Sequence, residues 1–386
     1  MHQLARPARQ ENGIEPGPSL YDRWLTVRDR LLASAVFRRW ATAFPLTRPI
    51  ARRRAAALFD LGAGFVYAQI LAACVRLRLF DLLADGPQTV ATLAPRLGLA
   101  PDAAERLLAA AASLDLASRR SGGRFGLGPL GAAVVDNPGV TAMIEHHALL
   151  YADLADPVAL LRGQAGQTQL TRYWAYARSS WPGDLEPDAV ARYSALMAAS
   201  QPMVAAEILA AYPLTAHRCL LDVGGGEGAF LAAAATAAPH LRLMLFDLPP
   251  VAERARARFA AAGLAERAEA VGGSFFVDSL PRGADIVSLV RVIHDHDDAA
   301  ALAILRAVRQ ALPERGTLLL AEPMAETPGA RAMGDAFFGF YLLAMGSGRP
   351  RTAARLSQML AEAGFARSRY LATRTPMLTR LIVAQP

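Results

Sequence analysis

The sequence predicts an α/β protein: a mostly parallel sheet covered on both faces, closed by an antiparallel C-terminal strand and preceded by a mainly helical region. Three observations predict it. From Arg218 onward, short apolar runs (CLLDV, LRLMLFDL, DIVSLVRVI, TLLLAEP, RLIVAQP) alternate with helical stretches, the signature of strands buried on both faces. The first run ends in a glycine-rich turn over residues 222–228 that opens a helix. Residues 60–212 instead carry helical periodicity, broken by a short glycine-centred hairpin.

At 386 residues and 53% hydrophobic composition, the chain is long enough for two or three domains with a sizeable core. The pattern predicts a basic arm (1–58), a helical region (59–205) and a sheet region (206–386). No apolar run approaches bilayer length, and the opening MHQLARPARQ lacks a signal-peptide core, so a cytosolic protein is expected. Cys74 and Cys219 are far apart, have no metal-ligand spacing and read as buried thiols; no metal is expected. All 41 basic residues are arginine. The absence of lysine excludes Schiff-base chemistry, pyridoxal phosphate attachment, Walker-type phosphate loops and the kinase lysine. Residues 1–60 hold 11 arginines against 5 acids, so most of the net +7 charge sits in the arm. The body is nearly neutral, and no nucleic-acid partner is expected.

Taken in order, residues 1–20 read as a loose proline- and glycine-bearing leader. Tyr21–Phe44 reads as one amphipathic helix with interleaved arginines, ended by Pro45 and Pro49. That arm suits either a membrane surface or a partner subunit, and both readings stay open. Residues 60–85 form a strongly apolar helix followed by a shorter one. TVATLAPRLGL, a turn at Gly98 and a helix opened by Pro101-Asp102 follow; ASRRSGGRFGLG then reads as two short strands. Helix–turn–helix plus hairpin is a winged-helix pattern. Its second helix offers only Arg106 among alanines and leucines, which suits burial against another subunit better than reading DNA. Residues 140–212 are helical and alanine-rich, with His146-His147 and the aromatics Tyr173, Trp174 and Tyr176.

The chemistry gathers at strand ends. Asp222-Val223-Gly224-Gly225-Gly226 closes the first strand of the sheet; its glycines admit a ligand to the backbone, and the following helix N-terminus favours a carboxylate or phosphate. The second strand ends at Asp247-Leu248, where an acid accepts from ribose hydroxyls. Together they imply an adenosine-containing cofactor. Gly224-x-Gly226-x-x-Ala229 also fits a relaxed dinucleotide fingerprint, so a nicotinamide oxidoreductase competes. Asp222 leans the other way, since it would repel a pyrophosphate and welcome a cationic amino group. Further on, Arg291-Val292-Ile293-His294-Asp295-His296-Asp297-Asp298 follows a strand and opens a helix that at least one of these aspartates is expected to cap. One strand later Glu322 lies at another terminus, placed to fix the tautomer of His294 and leave its other nitrogen as a base.

DVGGGEG, FDLP, GGSFF and IHDH together resemble the plant-type small-molecule O-methyltransferase family, over roughly residues 60–386. The resemblance implies a class I, Rossmann-like methyltransferase sheet, an N-terminal winged-helix dimerisation region, a homodimer and S-adenosylmethionine as cofactor. It makes His294 the general base and Glu322 its orienting acid. Asp222, Gly224, Gly225, Gly226, Asp247, Leu248, Ser274, Phe275 and Arg291 become the cofactor-binding set. The sequence departs from the family at three positions. Ser274 stands for the acid of GGDxF, His296 for a tryptophan, and Pro350 for a second catalytic glutamate. More narrowly, PLTRPIARRRAAALFDL, IEHHALLYADLADP and FYLLAMGSGRPRTAARLSQML resemble bacterial hydroxyneurosporene O-methyltransferases. This implies a photosynthetic proteobacterium and an acyclic carotenoid bearing a tertiary 1-hydroxyl, with another aromatic or pigment acceptor as the alternative. A membrane-borne substrate would give the arm a peripheral membrane role. His146, His147, Met197, Tyr341 and Met345 are the candidate substrate-pocket residues.

Overall fold

A computed structural model describes residues 19–174 and 187–386; in the helix Pro187–Ala211 the side chains of residues 187–195, 197 and 198 are outside the description. The chain separates into two units, residues 1–70 and 71–386.

In the first unit the expected single helix over residues 21–44 is two helices, Leu20–Ala33 and Ala35–Ala43. Ser34 takes an extended conformation between them, and its hydroxyl caps the second by accepting from the Phe37 N–H. Serine is a better cap than helix interior, so a local hydrogen bond overrode the apolar spacing. Ser19 and Asp22 cap the first helix reciprocally. No residue of Leu20–Ala33 is buried; Tyr21 stacks on Trp24, and Trp40 on Phe44.

A third helix, Arg48–Arg76, begins twelve residues earlier than the apolar stretch suggests, because Pro49 opens it rather than ending its predecessor. It contains an 18-residue window of mean hydropathy 1.7, long and apolar enough to cross a bilayer, which corrects the expectation that no such run exists. Only 17% of that window is buried.

The second unit opens with the winged pattern. Thr89 caps Val90–Leu97, Gly98 ends it in a left-handed conformation, and Pro101 starts Pro101–Ser113. Leu93, Leu97, Ala104, Leu108 and Ala111 are buried between these helices and a small antiparallel sheet. Its strands are β1 (Gln88–Thr89), β2 (Ala117–Arg120) and β3 (Arg124–Leu127), in the order β1-β3-β2.

The large sheet contains β4 (Cys219–Val223), β5 (Arg242–Asp247), β6 (Ala268–Gly272), β7 (Ile286–Val290), β8 (Thr317–Glu322), β9 (Arg367–Leu371) and β10 (Arg380–Gln385). The order is β6-β5-β4-β7-β8-β10-β9; β4 to β8 run parallel, and β10 is antiparallel to both neighbours. Alternate residues feed two cores. Leu221, Val223, Val287, Leu289, Leu318 and Leu320 pack with Ile304, Leu305, Val308 and Met359 on one face. Leu220, Leu243, Leu245, Ile286 and Leu319 pack with Ile208, Phe230, Leu231 and Phe259 on the other. Every residue of β4, β7 and β8 is buried, which explains why these strands read as continuous apolar runs. The strand order reverses at β4, so the carboxyl ends of β4 and β7 flank the crevice where such sheets hold ligands. Cys74 and Cys219 are both buried and free.

Candidate active site

The turn after β4 is built around glycine geometry. Gly224, Gly226 and Gly228 take φ of +69, +59 and +78 degrees. A Cβ at Gly225 would lie 2.6 Å from Asp222 Oδ2, whereas nothing lies within 4 Å of one at Gly226, leaving open space over that backbone. Asp222 Oδ1 accepts from Ser288 Oγ at 2.6 Å. Its Oδ2 is buried and has no hydrogen-bond partner among the described residues. Burial pushes this carboxyl up to about 7, with the Ser288 bond opposing and Asp247 adding to the rise. An orphaned carboxylate oxygen beside an open glycine turn is what a cationic amino group would complete, so these residues fit an amino-acid-bearing ligand.

At the end of β5, Asp247 accepts from Gly226 N–H (2.8 Å) on Oδ2 and from Leu248 N–H (2.7 Å) on Oδ1. The two contacts hold the carboxylate against the glycine turn and leave each oxygen a further lone pair. Burial nevertheless pushes Asp247 up to about 6. Ser274 donates its backbone N–H to Asp278 at 2.9 Å and accepts from Phe276 N–H at 3.4 Å. Phe275 meets His296 edge to face at 5.5 Å. Arg291 adopts a φ of +60 degrees at the end of β7, and its guanidinium donates to Ser200 Oγ at 2.9 Å.

Directly after Arg291, a 3-10 turn, Ile293–Asp295, presents His294. Glu322, 1% exposed at the end of β8, accepts from the backbone N–H groups of Val292 (3.0 Å) and Ile293 (2.7 Å) on one oxygen. Its other oxygen accepts from His294 Nδ1 at 2.5 Å. One carboxylate thus fixes both the turn and the ring, and a proton on Nδ1 leaves the Nε2 lone pair as the basic site. Burial works against the charged ring, but Asp295 and Glu322 outweigh it and raise the His294 pKa.

A second segment latches the same turn. Arg349 N–H donates to His294 O (2.9 Å), and the buried Arg351 guanidinium donates to Ile293 O (2.8 Å), His296 O (2.7 Å) and Asp298 Oδ1 (2.9 Å). Gly348 has a φ of +80 degrees, and a Cβ there would fall on the His294 carbonyl. The capping expectation is met in position but not in side-chain hydrogen bonding. Asp297 occupies the N-cap of Asp298–Ala311 without a side-chain cap, and its carboxylate accepts from Gly348 N–H instead. Asp298 is taken by Arg351 and Arg355.

The pocket candidates separate. His146 Nε2 shares a hydrogen bond with Tyr341 Oη at 2.8 Å, and burial pulls His146 down to about 4. Tyr341 and the fully buried Met345 pack with Leu150, Leu160, Leu170 and Trp174 in one buried cluster. His147 Nε2 is buried with no hydrogen-bond partner among the described residues, and its ring meets the Phe337 edge at 5.3 Å. Met197 lies on the helix Pro187–Ala211, and its side chain is outside the described residues. Phe337 contacts Phe338 (5.3 Å), which contacts the His294 ring at 5.6 Å. Both phenylalanines ride on a π-helical segment, Ala332–Phe338, a distortion frequent at functional sites. Neither these phenylalanines nor Arg351 belongs to a strand-end sequence motif; the adjacent Phe337-Phe338 pair within an otherwise ordinary apolar helix is the one local signal for the phenylalanines.

Residues 151–366 match the O-methyltransferase domain, and residues 59–137 match the O-methyltransferase dimerisation domain. The chain belongs to this O-methyltransferase family. It is 44% identical over 355 residues to the demethylspheroidene O-methyltransferase of Cereibacter sphaeroides, covering 92% of this chain and 93% of that one. Identity to the Rhodobacter capsulatus protein of the same name is 40% over 341 residues, covering 88% and 84%. Among solved structures, CalO1, a methyltransferase in calicheamicin biosynthesis with S-adenosylhomocysteine bound, superposes with a TM-score of 0.71 at 30% identity, covering 86% of this chain and 98% of CalO1. The protein is therefore a class I O-methyltransferase that uses S-adenosylmethionine, and the nicotinamide alternative falls. Its dimerisation domain supports a homodimer.

Proposed function

We propose that this O-methyltransferase methylates the tertiary 1-hydroxyl of an acyclic carotenoid of the hydroxyneurosporene or demethylspheroidene type. The observation that carries the mechanism is the His294–Glu322 contact of 2.5 Å at adjacent strand ends. The names of the two relatives above and the phenylalanine wall beside His294 support the acceptor class. A polyene offers one polar end to orient, and an apolar slot ending on a single base suits it.

Bound S-adenosylmethionine supplies an electrophilic methyl group on a sulfonium. Asp222 is placed to take its amino group, the backbone of Gly224, Gly225 and Gly226 to accept close approach, and Asp247 to take ribose hydroxyls. Leu248, Ser274, Phe275 and Arg291 would complete the residues that hold the cofactor. His294 takes the hydroxyl proton on Nε2 while Glu322 holds Nδ1. A tertiary alcohol is a very weak acid, so proton removal accompanies attack. The remaining contribution is alignment.

The arm extends the reading to localisation: a cytoplasmic enzyme held peripherally on the membrane that contains its substrate. Tyr21, Trp24, Trp40 and Phe44 are 40–67% exposed, and Arg28 lies over Trp24 at 5.7 Å, a pairing of aromatics and arginines suited to an anionic interface. Residues 1–58 form this arm in the proposed division, with 59–205 dimerising and covering substrate and 206–386 binding cofactor.

Purified protein is incubated with labelled S-adenosylmethionine and a panel of tertiary-hydroxy polyenes, phenols and other hydroxylated pigments. Label should enter the polyene ether; preference for a phenol overturns the assignment. A deletion of residues 1–47, ending before the helix Arg48–Arg76, tests the arm. It should retain cofactor affinity but lose cosedimentation with phosphatidylglycerol vesicles and activity on vesicle-borne polyene. Equal activity on that substrate removes the membrane role.

A further inference from the structure

His294 has a second acidic neighbour that the mechanism above leaves unused. Asp295 is 6% exposed, and its Oδ1 lies 3.0 Å from His294 Nε2, the nitrogen opposite Glu322. That oxygen is nonetheless buried without a hydrogen-bond partner among the described residues. The approach is close enough for an ion pair but makes no hydrogen bond, so Asp295 does not take up the Nε2 hydrogen-bonding position. At the position where the resemblance implies a second catalytic glutamate the chain carries Pro350, which has no carboxyl. The surrounding segment instead gives Arg349 and Arg351 to the backbone of the His294 turn.

We propose that Asp295 is the second acid of the base, a positioning residue that acts through His294 from the Nε2 side in place of the missing glutamate. The inference rests on the methyl-transfer reading and deepens it. As the acceptor oxygen forms its bond to the methyl carbon, the carbon–sulfur electron pair leaves with sulfur and the O–H proton passes to Nε2. The resulting imidazolium then has a carboxylate against each nitrogen, Glu322 at Nδ1 and Asp295 at Nε2. Above the ring's own titration, where Nε2 is unprotonated, that charge appears as proton transfer proceeds, so the flanking acts on turnover more than on binding.

The groups facing the ring are Asp295 on its own turn, Glu322 from β8, Arg291 from the end of β7 and His296 just beyond. Burial pushes the Asp295 carboxyl up to about 7, with His294 and Arg291 pulling it down and Glu322 adding to the rise. Its negative charge in turn favours the protonated ring.

The test is Asp295→Asn, close in shape but uncharged, with Asp295→Glu as the charge-retaining companion. Histidine ring resonances are followed against pH in the protein without acceptor, the His294 signal being assigned by its loss in His294→Ala. The ring pKa should fall in Asp295→Asn and stay raised in Asp295→Glu. In turnover, Asp295→Asn should lower kcat about ten- to a hundredfold with KM little changed, and move the acid limb of the pH profile downward. Asp295→Glu should recover part of kcat. An unmoved ring titration in Asp295→Asn, or equal loss of kcat in both variants, overturns the proposal. The titration is read without acceptor, so it decides this inference even if the wild type methylates none of the offered polyenes, a result that counts against the proposed function alone.

Discussion

Asp222 and Glu322 are both 1% exposed carboxyls near strand ends, yet their surroundings give them different roles. Glu322 has a partner on each oxygen, whereas Asp222 keeps one oxygen orphaned. The free carboxyl titrates near 7 because burial disfavours its charge, and a cationic amino group would favour ionisation. S-adenosylhomocysteine, which carries that amino group, should therefore bind more weakly as pH falls from 8 to 6. The binding heat should vary with buffer ionisation enthalpy, reporting proton release. Asp222→Asn should lose about ten- to a hundredfold in affinity and flatten the pH dependence. A calorimetric titration unchanged by the substitution would remove Asp222 from the amino site. For His294→Ala, cofactor affinity should persist while kcat falls about 10²–10⁴-fold; near-normal turnover would leave alignment as the only catalytic contribution. Asp222, His294 and Glu322 were legible in the sequence because each closes an apolar run, and strand termini are where a parallel sheet presents side chains to ligand. The orphaned oxygen was not legible, since partners are absent or present only in three dimensions.

Between strands, the turns carry the precision of the site. The Ile293–Asp295 turn is too short to hold itself, and the Ile293 carbonyl and N–H are bonded by Arg351 and Glu322, 58 and 29 residues away. Arg351→Ala would remove a donor from each of the Ile293 and His296 carbonyls and leave Asp298 to Arg355 alone. It should cost about 2–3 kcal/mol in denaturant unfolding and reduce kcat disproportionately to any change in S-adenosylhomocysteine affinity. Arg351→Lys should rescue poorly, because an ammonium does not reproduce the planar fork. A fully active alanine variant would show that the turn holds without the latch. Glycine spacing and strand endings were readable here, whereas the arginine latch was not: an Arg in GRPRT looks like any surface arginine until its guanidinium is found 4% exposed residue-wide against backbone oxygens. The split at Ser34 teaches the converse, a local cap stronger than an apolar period.

Across the second unit, burial concentrates ionisable groups at one end of the sheet. Asp222, Asp247 and Asp295 all have folded-state pKa values above the ordinary 3.8, by burial first in each case. They bind protons more tightly folded than unfolded, so their effect on stability becomes unfavourable as pH rises from about 4 to about 7. His294, raised likewise, contributes stability that is present below 6.5 and lost as pH rises through its folded value. His146, His147 and His296, lowered by burial, oppose this by gaining stability as pH rises toward 6.5, but the carboxyls and His294 outweigh them, so the ligand-free protein should melt at a lower temperature at pH 8 than at pH 6. The gain in melting temperature on adding S-adenosylhomocysteine should be larger at pH 8, where Asp222 is an uncompensated carboxylate. Melting temperatures that rise from pH 6 to pH 8 without ligand would contradict this account. Alternating runs of apolar sequence were enough to specify a two-sided sheet and its C-terminal hairpin, since strand period and burial are local properties of the chain. The distant contacts that complete the site depend on which segments the reversal of strand order at β4 brings to one end. Phe338 against the His294 ring, Asp295 beside Nε2 and Arg351 beneath the turn required the folded chain, because no local pattern encodes a meeting between residues on separate elements.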